Sequence, residues 1–128
     1  MARKFNYRGK PIEELQAMPL DSFLKLMPSK QRRTLKRMGP QVRKFLERFR
    51  QTKKSGKILE THHRQMPILP EMVGSRIKVY TGKEYREIAL TPAHLGHRLG
   101  DYAITIKQVR HSGPGIGATR GSKAVDLK

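Results

Sequence analysis

Arg76-Ile77-Lys78-Val79-Tyr80-Thr81-Gly82-Lys83-Glu84-Tyr85-Arg86-Glu87-Ile88-Ala89-Leu90 is where the chain changes its hydrophobic period from helical to alternating. Ile77 and Val79 alternate with Arg76, Lys78 and Tyr80, the pattern of a half-buried strand. Thr81-Gly82-Lys83 reads as a turn and Tyr85 to Leu90 as the returning strand, which predicts an antiparallel hairpin. Working outward toward the C-terminus, Thr91-Pro92 is a helix start, with Thr as N-cap and Pro at the first position. Gly96 and Gly100 keep that helix short. Ala103 to Val109 alternates again, with Ile104 and Ile106 on one side, and is expected to supply a third strand. The fold class is therefore α+β: a small three-stranded, mostly antiparallel sheet with a short helix, close to the minimum that can bury a core.

Toward the N-terminus the chain reads as short helices punctuated by proline. Pro11 opens a turn leading to Ile12 and Leu15, and Pro19 closes it. Asp21 is the expected N-cap for Phe23, Leu24 and Met27, with Pro28 ending the element. Ser29 is expected to cap the turns carrying Leu35 and Met38, and Gly39-Pro40 starts another helix. There Val42, Phe45, Leu46 and Phe49 share one face and Arg43, Lys44, Arg48 and Arg50 the opposite arc, so the helix is expected to dock through Phe45 and Phe49. Residues 1–10 lack core-forming periodicity and are expected to be cut quickly by proteases. Lys53 to Lys57 is a linker by composition. The organisation is thus a basic helical region over 1–57, an α+β core over 58–111 and a flexible, glycine-rich, basic tail over 112–128.

Charge points to the partner. Twelve Lys and Arg residues lie between Ser29 and Lys57 against the single acid Glu47, a net +11 out of the formal +18. A soluble surface does not need that imbalance, and the default counterpart is a nucleic acid backbone. The apolar fraction of 36% is low for a globular chain, so part of it is expected to gain order on a partner. With no cysteine there is neither a disulfide nor a thiolate metal site, which suits a reducing cytoplasm. No apolar run approaches the roughly 20 residues of a membrane span. The basic helices carry no Trp and only short apolar stripes, which argues against a membrane surface.

Several motifs lose their first meaning in context. Gly115-Ile116-Gly117 is neither preceded by an apolar strand nor followed by a helix, so it is tail and not a dinucleotide loop. His62-His63 and His94 with His97 lack the further ligands and carboxylates of a lasting metal site; no metal and no cofactor are expected. No nucleophile, base and orienting group can be assembled, so no enzyme and no small-molecule substrate are expected. Tyr80 or Tyr85 could stack on bases, but cross-strand packing explains them equally well. Backbone recognition fits better than base reading. Candidate phosphate contacts are Arg43, Lys44, Arg48, Lys53, Lys54 and Arg64, with Arg120 and Lys123 in the tail. The rival from another use of the same charge is a chromatin-type, non-specific DNA-binding protein.

Pro70-Glu71-Met72-Val73-Gly74, the Gly82-Lys83 turn, and Thr91 followed by Gly96-His97-Arg98-Leu99-Gly100-Asp101-Tyr102 resemble the small-subunit ribosomal protein family S-nineteen, called S-fifteen in eukaryotes. Asp101 stands where Glu is more usual. Gly113-Pro114-Gly115-Ile116-Gly117-Ala118-Thr119 is similar to the tail of archaeal and eukaryotic members. The resemblance covers roughly residues 63–120. It implies a structural protein of the ribosomal head, bound to small-subunit ribosomal RNA beside protein S-thirteen, with a tail approaching the decoding region and A-site transfer RNA. It also implies RNA contacts for Lys83, His97, Arg98, Lys107, Arg110 and His111.

Overall fold

The structure, a computed structural model, describes residues 4–109. Asn6–Tyr7 (β1) and Lys10–Pro11 (β2) pair antiparallel around Arg8 and Gly9, whose φ values of 52° and 82° make the tight hairpin turn. Ordered structure reaches further toward the N-terminus than the pattern of residues 1–10 suggests. Tyr7 explains it, because its ring lies 5.9 Å from that of buried Phe23.

Four helices come next in the chain: α1 (Ile12–Ala17), α2 (Leu20–Leu26), α3 (Ser29–Arg37) and α4 (Gly39–Lys54). Pro11, Pro19 and Pro28 are the N-caps of the first three, each with ψ near 150–160°. Asp21 and Ser29 therefore sit inside their helices and are not the caps expected of them. Proline suits the extended N-cap backbone and brings no N–H needing a partner. Lys53 and Lys54 form the last turn of α4 instead of a linker. The helix ends at Gly56, φ 67°, where Lys57 N–H donates to the Thr52 carbonyl and Gly56 N–H to that of Lys53. That paired closure needs a left-handed residue, which glycine adopts without a Cβ clash.

The main sheet has the order β3 (Leu59–Thr61), β4 (Arg76–Tyr80), β5 (Tyr85–Ala89). The predicted hairpin is β4–β5, antiparallel, with Ile77 opposite Ile88 and Tyr80 opposite Tyr85. The third strand is a correction. Leu59–Thr61 pairs parallel to β4, with Leu59 opposite Ile77, so the sheet is mixed. Residues 103–109 form no strand; beyond buried Ala103, Ile104, Ile106 and Val109 are 65%, 83% and 68% exposed. The position beside β4 goes to the segment that can bury Leu59 and Thr61 against α4.

One apolar cluster runs from Leu15 and Phe23 through Val42, Phe45, Leu46 and Phe49 to Leu59, Ile77, Val79 and Leu99. Met66, Ile68, Leu69 and Met72, between β3 and β4, are at most 2% exposed and lie in its middle. This irregular stretch is held by the glycine-rich motif running past it. Ile68 N–H donates to the His97 carbonyl, Leu99 N–H to Met66 and Gly100 N–H to Arg64. Gly100 is required there, since a Cβ would fall 3.0 Å from the Arg64 carbonyl oxygen. Thr91 does stand at the N-cap of the next element, where His94 Nδ1 accepts from its backbone N–H at 3.3 Å, but that element is a single 3₁₀ turn, Pro92–His94.

Candidate nucleic-acid interface

The α4 helix separates its two jobs by periodicity. Val42, Phe45, Leu46 and Phe49 are buried, and Phe45 meets the His63 ring edge-on at 6.0 Å. Arg43, Lys44, Arg48, Lys53 and Lys54 are exposed, and none forms an ion pair among the described residues. Lys53 and Lys54 also face the negative end of the helix dipole, a favourable place for cations. Arg50 is different: its Nε and Nη2 grip Glu71 at 2.6 and 2.9 Å, tying α4 to the 3₁₀ turn Pro70–Met72. The carboxylate raises the already high pKa of Arg50 through that hydrogen bond and its charge, so this cation is committed within the protein.

Arg64 turns inward. Its Nη1 donates to the Tyr80 carbonyl at 2.6 Å, and its Nη2 to the carbonyls of Gly100 and Ala103. One guanidinium thus closes the end of β4 onto the chain leaving the Gly-His-Arg-Leu-Gly motif. Three of the five N–H donors of Arg64, which the sequence offers as a phosphate contact, are thus directed at carbonyls within the protein.

Lys83 is exposed at the tip of the β4–β5 hairpin, where Thr81 N–H and Oγ1 both donate to the Glu84 carbonyl and Gly82 takes φ 99°. His97 is exposed too, with Nδ1 4.0 Å from Asp101 Oδ2. Arg98 is half-buried; its N–H donates to Asp101 Oδ2 at 3.0 Å and its Nη2 reaches Thr34 Oγ1 on α3 at 3.3 Å. Lys107 stands exposed on the strand-free segment after Ala103. Arg110, His111, Arg120 and Lys123 lie outside the described residues.

The remaining histidines and tyrosines have structural partners. Tyr85 Oη and His62 Nε2 are 2.8 Å apart, and the Tyr80 and Tyr85 rings pack across the strands at 5.2 Å. His94 lies 4.1 Å from the Tyr102 ring. Burial, and secondarily the Asp101 charge, raises the Tyr102 phenol above its ordinary pKa. The outer sheet face neutralises itself through Lys78–Glu60 and Arg76–Glu87, both at 3.3 Å. Among the described residues, exposed positive charge without an ion pair is therefore concentrated on the helical half, with Lys83, Arg86 and Lys107 outside it.

Residues 33–111 match the family of ribosomal protein S19. The chain belongs to that family. Two archaeal S19 relatives cover nearly the whole chain. Small ribosomal subunit protein uS19 of Saccharolobus solfataricus is 47% identical, covering 98% of this chain and 93% of its own length. The protein of the same name in Cenarchaeum symbiosum is 45% identical, with 100% of both chains covered. The S19 match includes β3, the β4–β5 hairpin and the glycine motif locked beside Met66 and Ile68, and its N-terminal limit falls within α3.

Proposed function

We propose that the protein is a structural constituent of the small ribosomal subunit that binds small-subunit ribosomal RNA in the head, beside ribosomal protein S-thirteen. The observation that carries this is the cationic face of α4, without ion pairs among the described residues and backed by a buried apolar face, in a chain of the S19 family. Arg43, Lys44, Arg48, Lys53 and Lys54 form the main backbone contact, with Lys83, His97, Arg98 and Lys107 extending it from the core. Arg110 and His111 continue it at the end of the core region, and Arg120 and Lys123 along the tail, which reaches toward the decoding region and A-site transfer RNA. The protein acts in the cytoplasm, within the subunit, by screening RNA helices brought close together and fixing their orientation.

Sedimentation tests this reading. The protein should remain with small subunits through a high-salt wash. Release from subunits together with retention on DNA would favour the chromatin-type alternative. Truncation after His111 separates the roles further: the shortened chain should still enter subunits but impair transfer-RNA binding or decoding accuracy. Failure to enter subunits would make the tail an assembly anchor instead.

A further inference from the structure

The α3 helix carries a second cationic face that the residues assigned above do not include. Ser29, Arg32, Arg33, Lys36 and Arg37 recur at helical spacing on one side, while Leu35 is buried and Thr34 and Met38 are half-buried on the other. The five residues line a shallow depression of about 530 Å³. No carboxylate pairs with Arg32, Arg33, Lys36 or Arg37 among the described residues. Arg32 is fixed in place: its Nη2 donates to the Met27 carbonyl at 3.0 Å. Its Nε is buried with no acceptor among the described residues, which leaves hydrogen-bonding capacity unspent beside the depression. Arg98 ties α3 to the glycine motif through Thr34, so the face is held in register with the core.

We infer that this face is a separate phosphodiester-binding site for the backbone of the same RNA; the inference rests on the ribosomal reading above. Nine helical residues span on the order of 13 Å, room for more than one phosphate along a strand. A fixed Arg32 sets the floor, and Arg33, Lys36 and Arg37 supply mobile charge around it. An anionic membrane is the poorer fit, because the apolar side chains of α3 are turned into the core and leave nothing to insert.

The test compares two triple variants of the full chain, each losing three positive charges. R33Q/K36Q/R37Q alters the α3 face and leaves Arg32 intact. R76Q/K78Q/R86Q alters the sheet, which the proposal leaves out. Both are titrated against a transcript of the small-subunit RNA head domain over a range of salt. The slope of log affinity against log salt should fall by about two to three for the α3 variant and hardly change for the sheet variant. Equal losses, or none in either, would overturn the α3 site while leaving RNA binding by the parent intact. A parent protein with no salt-dependent affinity for the transcript would sink the ribosomal reading as well, and tighter binding to duplex DNA of equal length would assign the face to DNA. Lys36 acetylation in the unaltered protein gives a reading free of folding effects: bound RNA should protect it, and unchanged reactivity would overturn the site.

Discussion

Tyr7 occupies the space that a side chain at Gly96 would need: a Cβ built there falls 2.7 Å from the Tyr7 Oη. The N-terminal hairpin is thereby seated on the glycine motif, and Gly96 itself holds φ 79°. Gly96→Ala should cost about 1–2 kcal/mol from the left-handed backbone alone, plus the displacement of Tyr7. Thermal melts of Gly96→Ala, Tyr7→Ala and the double variant check it. The two changes should be non-additive, since removing Tyr7 relieves the clash but not the backbone strain. Strict additivity would show that the hairpin does not rest there.

Arg64→Ala should destabilise the fold by about 1–3 kcal/mol, because it strands carbonyls of Tyr80, Gly100 and Ala103 that now share one guanidinium. Its RNA-binding salt slope should match the parent's. Urea unfolding and a salt titration measure the two separately; an unchanged midpoint with a reduced slope would mean that Arg64 contacts phosphate after all.

Phe45 and Phe49 are 4% and 3% exposed, so truncating either to Ala should cost about 3–5 kcal/mol. The double variant should lose its cooperative melt. A near-native transition would mean that α4 does not depend on this face for docking.

Alkaline stability should depend on Tyr102. Burial and the neighbouring Asp101 raise its folded pKa, so the neutral phenol is favoured in the native state. The contribution is fully present below about pH 10, the ordinary tyrosine value, and is lost as pH climbs through the raised folded pKa. As pH rises from about 10, the ordinary tyrosine value, the parent should lose more stability than Tyr102→Phe. Parallel losses in the two proteins would remove Tyr102 as the cause.

Glu71→Gln should change stability by less than about 1 kcal/mol despite its two-point contact with Arg50, because both side chains are substantially solvated. The difference should shrink as salt is added. A large, salt-insensitive loss in a denaturant series would contradict that assignment.

The α4 helix is legible in the sequence, because its apolar stripe and its cations are interleaved within one element at a spacing that backbone geometry imposes. The same is true of the β4–β5 hairpin, where alternation and a short turn are both local signals. The β1–β2 hairpin is not, since two-residue strands carry no period and only the Arg8-Gly9 turn hints at them. Met66 to Met72 carries no regular period either, although it lies at the centre of the core.

Local pattern, charge and turn chemistry determined the class of fold, the wet and dry faces of α4 and the concentration of positive charge in the helical half, because each depends on residues close together in the chain. Tertiary structure alone decided which segment fills the sheet and which cation is spent inside it. Residues 103–109 alternate as well as a strand should, yet Leu59–Thr61 takes the place beside β4, since pairing is a competition between distant segments settled by what each can bury. Arg64 has the same charge as Arg43, and only the convergence of three carbonyls around it makes one a cross-link while the other stays exposed on the surface.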